Sequence, residues 1–383
     1  MQRVIDITAK ERLSDEDVAY LAGKLGGATK RDYSRYGVAA DVASTGGPSS
    51  LSTLVCPLFL RAFGYCVPKV GVAGRPAGGI DVMAQIPGFR FALESNQFET
   101  VIASSGYAHS LAQADLAPLD ARLFLFRRSL QAKGDEDLAI ASLLAKKVAL
   151  GITDLGLDVR VAAHGNFGSD WATARDNARK FCRVSKLLGI KSVCILTNGC
   201  SPYQPFLGRG ESLVALHALL EGEDAESLTA HGNLCFRMAG AVGRERGSLR
   251  PKPGELKTVF AGHLRAHASD YAAFEEVANR IRQACRFDLC IEQEGFLRVD
   301  LRLLRAVLVE IQQEGHTDSE FPDPSGLVFR LPKDAYVWPG DTVASVRISH
   351  GGWHRFRERF SAAFTTVENS DPEKCFYEEV RDA

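Results

Sequence analysis

The stretch Asp41-Val42-Ala43-Ser44-Thr45-Gly46-Gly47 ends a mostly apolar run, Gly37 to Ala43, in two hydroxyls and two adjacent glycines. Backbone N–H groups at glycines can converge on an oxyanion, and Ser44 and Thr45 add two side-chain donors, so an anion-binding loop is one reading. A bare turn is the other, because Gly-Gly and Ser/Thr clusters punctuate loops whatever they bind. Asp41 also has two readings. It braces or caps the loop, or it points inward as a carboxylate able to activate water.

Outward from this stretch, apolar runs at Val67 to Val72, Leu155 to Val161 and Ser192 to Leu196 alternate with helical patterns at Thr173 to Leu188 and Ser212 to Leu220. Strands separated by helices of that length argue for a mostly parallel sheet covered on both faces, hence an α/β core between Val38 and about Arg250. On the N-terminal side, Leu13-Ser14-Asp15-Glu16-Asp17-Val18 has the form of a capped helix start, and Val18, Leu21 and Leu25 keep helical spacing until Gly26-Gly27. On the C-terminal side, Pro251-Lys252-Pro253-Gly254 punctuates the chain and a helical stretch runs to about Arg286. Short alternating runs with Gly-Asp turns follow, as at Leu289 to Asp300, Gly326 to Arg330 and Gly340 to Ala344, and suggest a separate α+β region.

The chain has 383 residues and is 45% hydrophobic, enough for a sizeable core and two or three domains. Its 46 basic and 47 acidic residues nearly cancel, which leaves no electrostatic footprint for nucleic acid or an anionic membrane. Arg355, Arg357 and Arg359 read as a solvated face. The N-terminus lacks a signal-peptide core and no window approaches a spanning helix, so a cytoplasmic location is expected. The nine cysteines include no Cys-x-x-Cys pair and read mostly as small buried hydrophobes in a reducing compartment. Neither a metal site nor an organic cofactor is implied.

Further motifs follow in order: Gly74-Arg75-Pro76-Ala77-Gly78-Gly79-Ile80-Asp81, Gln85-Ile86-Pro87-Gly88-Phe89, Asp115 to Asp120, Leu123 to Arg127, Ala141 to Lys147 and Leu157-Asp158-Val159-Arg160-Val161. With the Ser-Thr-Gly-Gly, this series resembles the thymidine and pyrimidine-nucleoside phosphorylase family, whose relatives include anthranilate phosphoribosyltransferase. The resemblance runs from about Leu13 to about Ile348. It implies an α/β fold in three parts: a small helical domain (residues 1–37, completed by about 115–150), a mostly parallel α/β domain (38–114 and 151–250) and a C-terminal α+β domain (251–383). It also implies a pyrimidine base or nucleoside as the bound partner. The family's opening pair of helices, which helps build its dimer, is clipped here, so a homodimer of the usual kind is not expected.

Asp135-Glu136-Asp137 supplies cap-competent acidic residues before Leu138 to Leu150, a helix signal on which Ser142 and Lys146, four apart, share one face. A pyrimidine needs donors for O2 and O4 and an acceptor for N3–H, and Arg127, Ser142 and Lys146 supply that set. In the family the residues at these three positions grip the base. Arg127 and Lys146 would also stabilise the negative charge that grows on a departing base. The plainer reading makes both cations ordinary surface charges and Ser142 a packing residue.

The resemblance is broken on the phosphate side. The family has a lysine and a histidine where this chain has Val42 and Ala43, and a histidine and a threonine where it has Arg75 and Pro76. Ser44, Thr45, Gly46 and Gly47 remain, Thr53 stands where the family has a phosphate-binding serine, and Arg75 is the one candidate cation. A dianion leaving water needs dense, charge-assisted donors, so a tight orthophosphate site of the usual kind is not expected. Three readings stay open: glycosyl transfer from pyrimidine nucleosides to phosphate bound through Arg75 or to another acceptor, hydrolysis with Asp41 as base, or pyrimidine binding without turnover. His164, in the loop after Val161, has two readings, a substitute for the missing histidine or a solvent-facing loop residue.

Overall fold

The computed structural model describes residues 12–27, 31–72, 74, 76–112, 119–120, 122–123, 136–163, 165, 167–223, 226–243, 249–314, 320–370 and 377–382. The first half of the fold alternates as its pattern demands: α1 (Asp15–Gly26), β1 (Ala40–Ser44), α2 (Ser52–Ala62), β2 (Val67–Gly71), α3 (Gly79–Met83), α4 (Ser95–Ser105), β3 (Tyr107–Leu111), α5 (Glu136–Ala149), β4 (Asp154–Val161), α6 (Trp171–Leu187) and β5 (Lys191–Asn198). The helix starts are set by local chemistry. Ser14 caps α1 by accepting from the Asp17 amide, and Asp170 caps α6 by accepting from Thr173. At its far end α1 stops at Gly26, whose missing Cβ lets it lie against α5; a methyl there would stand 2.8 Å from the Ala145 carbonyl oxygen.

The remaining elements are β6 (Phe206–Leu207), α7 (Arg209–Glu221), α8 (Glu226–Val242), α9 (Pro253–Ala266), α10 (Tyr271–Gln283), β7 (Phe287–Cys290), β8 (Gly295–Val299), α11 (Leu301–Gln313), β9 (Gly326–Phe329), β10 (Tyr336–Val337), β11 (Thr342–Arg347), α12 (His350–Ser361), β12 (Phe364–Val367) and β13 (Tyr377–Val380). Strands β1, β4 and β5 pair in parallel, and β13 closes the edge antiparallel to β5. Strands β2 and β3 pair in parallel beside them, joined by a bridge from Ala39 to Cys66 and by the bonds Ala40 N to Cys66 O and Cys66 N to Val38 O, each 2.9 Å. The strand order is therefore β3-β2-β1-β4-β5-β13. Winding reverses at β1, so the carboxyl ends of β1 and β4 flank the switch point where open α/β sheets leave a ligand crevice.

Two apolar layers cover the sheet. One buries Leu155, Leu157, Val159 and Val161 of β4 under α1, α4, α5 and α6; the other buries Val42, Val193 and Ile195 under α2, α7, α8, α9 and α10. The period of two in β4 thus sends Gly156, Asp158 and Arg160 to the second face, with Val42 and Ser44 of the paired strand. The α/β class expected from the alternation is the class observed.

The division expected at residue 251 does not follow the packing. Helices α9 and α10 bury Leu256, Phe260, Leu264, Phe274, Val277 and Ile281 in the α/β core, because their apolar stripes meet α2, α4 and α7. Strand β13 also returns to the α/β sheet, while β6 leaves it to pair with β9. The C-terminal lobe proper has its own core, with antiparallel sheets β6-β9-β11-β7 and β10-β8-β12 under α11 and α12. Among the described residues, no helix is long and apolar enough to cross a membrane, and five of the eight described cysteines are buried.

Candidate active site

The Ser44-Thr45-Gly46-Gly47 loop leaves the carboxyl end of β1 with φ of 88° at Gly46 and 130° at Gly47, a geometry only glycine adopts without strain. Three of its donors, Ser44 Oγ, Thr45 N and Gly46 N, are already engaged. Ser44 Oγ donates to Asp158 Oδ2 at 3.2 Å while accepting from Gly46 N at 3.2 Å, and Ser52 Oγ donates to the same carboxylate oxygen at 2.6 Å. Thr45 N donates to Asp158 O at 3.0 Å, and Thr45 Oγ1 accepts from Arg160 N at 3.2 Å.

Arg160 closes the arrangement. Its Nε and Nη2 donate to Asp158 Oδ2 at 3.0 and 2.9 Å, its Nη1 to Gly47 O at 2.8 Å and its Nη2 to Ser52 Oγ at 3.1 Å. A Cβ at residue 47 would sit 3.1 Å from Nη1, so the second glycine also makes room for the guanidinium. One carboxylate oxygen therefore takes four donors. The other, Oδ1, is buried with no hydrogen-bond partner among the described residues. Neither Asp158 nor Arg160 was assigned a role from sequence, although the signal was present: two charges at alternate positions of a strand otherwise rich in Leu and Val must share one face.

Around this network stand other expected residues. Thr53 lies in the first turn of α2 beside the second Gly-Gly turn: a Cβ at Gly79 would stand 3.3 Å from Thr53 Oγ1 and 2.7 Å from His109 Cε1. His109, on β3, is buried, and its Nδ1 has no partner among the described residues. Burial, reinforced by Lys69, pushes its pKa well below the usual imidazole value, so the ring is neutral. No motif marked this histidine in the sequence. Asp81 accepts from Gly74 N and Gly78 N, both at 3.0 Å, and pairs with Arg209 at 2.8 Å, which pins the 74–81 turn to α7. Val42 is fully buried in the apolar layer with Gly156 against it, so the strand position the family gives to a lysine is here a core position.

Asp41 points to the opposite face of β1 from Ser44. Lys69 Nζ lies 2.7 Å from its Oδ1 and Lys147 Nζ 2.5 Å from its Oδ2, and all three side chains are buried. Burial by itself would raise the Asp41 pKa; Lys147 and then Lys69 outweigh it and hold the carboxyl well below the usual range. Both oxygens are committed to cross-links between β1, β2 and α5, which leaves none directed at the loop.

On α5, Ser142 and Lys146 come together as their spacing requires. Lys146 Nζ is 2.5 Å from Asp120 Oδ2, 2.9 Å from Ser142 O and 3.2 Å from Ser142 Oγ, with the lysine buried and Ser142 partly exposed. The adjacent lysines of α5 thus diverge: Lys147 enters the sheet toward Asp41 and Lys146 turns toward Asp120. Arg127, Arg75 and His164 lie outside the described residues.

No family model matches the chain. Over 187 residues it is 30% identical to a protein named thymidine phosphorylase from Rhizobium meliloti (strain 1021), a segment covering 48% of this chain and 42% of that relative. Over 272 residues it is 23% identical to a pyrimidine-nucleoside phosphorylase from Geobacillus stearothermophilus, covering 68% of this chain and 63% of the relative. The chain spans about half the length of the curated relatives it matches. Among solved structures, the anthranilate phosphoribosyltransferase of Thermus thermophilus aligns with a TM-score of 0.47 at 15% identity, over 74% of this chain and 100% of that one.

Proposed function

We propose that the chain transfers a pentosyl group at the N-glycosidic bond of pyrimidine nucleosides, with a phosphorylase-like base side and a changed acceptor side. The observation that carries this reading is the buried ammonium of Lys146, 3.2 Å from Ser142 Oγ on one face of α5. Lys146 Nζ already donates to Asp120 and Ser142, so in this reading a carbonyl of an incoming pyrimidine takes the place of Ser142 as its acceptor. The ammonium also suits the negative charge that builds on the base as the bond breaks, because a charge held in a partly dry site is already oriented for the transition state. Arg127 joins this pair in the proposal on the family resemblance. The names of the relatives support the same class of reaction.

On the acceptor side, the Asp158 carboxylate and the Arg160 guanidinium neutralise each other against the Gly-Gly loop, and Ser44 and Ser52 donate to that carboxylate. An orthophosphate dianion entering there meets a like charge and donors already in use, so phosphate is a poor acceptor in this reading. Hydrolysis is the second reading, favoured by one observation: Asp158 is a buried carboxylate beside this loop with one oxygen that has no hydrogen-bond partner among the described residues, whereas both oxygens of Asp41 are held by lysines.

The deciding experiment is product analysis with a panel of pyrimidine nucleosides, each with and without phosphate. Free sugar formed independently of phosphate supports hydrolysis, and sugar transfer to another acceptor supports the changed-acceptor reading. Sugar 1-phosphate that rises steeply with phosphate would overturn the acceptor-side assignment. Cleavage absent but nucleoside bound through Ser142 and Lys146 would mean a binding protein, and no binding at all would remove the base site.

A further inference from the structure

On the face of the sheet away from Ser142 and Lys146, α7 and α10 meet around His217. The imidazole is only 4% exposed, yet neither ring nitrogen has a hydrogen-bond partner among the described residues. The nearest carboxylate oxygens are Glu275 Oε1, 3.8 Å from Nε2, and Glu223 Oε1, 3.9 Å from Nδ1. Those gaps are too long for hydrogen bonds, and a buried polar group is normally paired. Glu221 stands four residues after His217 and so on the same face of α7, and Glu275 comes from α10.

One ligand atom each from His217, Glu221 and Glu275 lie within 4.8 Å of one another. We propose that these three side chains bind a divalent transition-metal ion of the zinc type, which fastens α7 to α10. One imidazole and two carboxylates make a borderline donor set of the kind zinc takes, with solvent completing the coordination. Metal bonds near 2.0–2.2 Å place neighbouring ligands roughly 3.3–3.5 Å apart, so the ion would draw the observed group, whose ligand atoms lie within 4.8 Å of one another, together by up to about 1.5 Å. Glu221 Oε1 is oriented by Lys257 Nζ and by the Tyr271 hydroxyl, both at 2.7 Å, in the way that outer partners fix a ligating carboxylate.

The charges facing the ring are Glu221, Glu223 and Glu275 against Lys257 and Arg282, an excess of one negative charge that favours a dication. Burial, followed by Arg282, lowers the His217 pKa, so the ring is in the neutral form that metal binding requires. Glu275 is half exposed, which gives an ion a path from solvent.

The test is equilibrium dialysis of the whole protein against zinc chloride, with bound metal measured by atomic emission, and cobalt(II) absorption as a second readout. Wild type should hold one equivalent and show cobalt d–d bands without the near-ultraviolet thiolate band that exposed Cys200, Cys285 or Cys290 would give. Glu275→Gln, a change to a half-exposed side chain that leaves the fold in place, should weaken binding about tenfold or more, and Glu221→Gln similarly. Zinc should raise the melting temperature of wild type but not of Glu275→Gln. No stoichiometric metal in wild type, a thiolate band, or equal binding in wild type and Glu275→Gln would each overturn the proposal.

Discussion

Asp41 and Asp158 are buried carboxylates on neighbouring parallel strands, and the fold neutralises them in opposite ways. Asp41 divides its charge, one oxygen to Lys69 of β2 and one to Lys147 of α5, so it ties three elements together. Asp158 gathers Ser44, Ser52 and two Arg160 donors on one oxygen, while the other has no partner among the described residues, so it ties a strand to the Ser-Thr-Gly-Gly loop and the start of α2. The contrast separates a structural cross-link from a loop latch. It also moves the interest in a site carboxylate from the residue that precedes the Ser-Thr-Gly-Gly to one on the neighbouring strand.

The largest effect expected from this contrast is in Asp41→Asn. Two buried ammonium groups lose their shared counter-charge, and breaking a buried pair by removing one partner costs about 3–5 kcal/mol. Urea unfolding monitored by circular dichroism measures it; a loss below about 1 kcal/mol would make Asp41 no cross-link. The pH dependence carries the same sign. Because the folded-state pKa is depressed, the stabilisation is fully present above the unfolded value near 3.9 and is lost as pH falls below it toward the folded value. Wild type should therefore lose stability steeply below about pH 4, and Asp41→Asn should lack that part of the slope.

A smaller loss is expected in Asp158→Asn, because Arg160 keeps Gly47 O and Ser52 Oγ as partners. Stability should fall by about 1.5–3 kcal/mol, the usual range for hydrogen bonds to a charged group. The sharper readout is the response to phosphate. Removing the like charge and freeing Ser44 should make nucleoside cleavage more phosphate-dependent than in wild type; an unchanged response would separate the latch from the acceptor site.

The smallest effect belongs to Ser142→Ala, where one partly exposed hydroxyl is lost and Lys146 retains Asp120. Uridine or thymidine affinity measured by calorimetry should weaken by about 0.5–1.5 kcal/mol with little change in melting temperature. Equal affinity in both proteins would break the base-side assignment and leave Lys146 and Asp120 as a second structural pair.

Much of the architecture was legible in the chain. The Leu/Val periodicity of 155–161 fixes which residues of β4 face each layer, Ser14 marks a helix start, and the spacing of Ser142 and Lys146 puts them on one face. Less legible was the fate of Lys146-Lys147, since adjacent lysines on a helix look alike until something lies beside them. Helices α9 and α10 carry ordinary apolar stripes, and a stripe does not say which surface will cover it. Strand β13 follows a turn-rich lobe and gives no sign that its partner is β5.

The sequence by itself determined the alternation of strands and helices, the glycines that the loop after β1 requires, and the one-face pairing on α5, because these depend on neighbours within one or two turns. The tertiary structure alone decided how the charges are spent. Asp41 meets Lys147 across 106 positions and Ser52 meets Asp158 across another 106, and both pairings exist only because the sheet winds in two directions from β1. A buried charge takes whatever partner the fold places within reach, and that reach is set by strand order rather than by spacing along the chain.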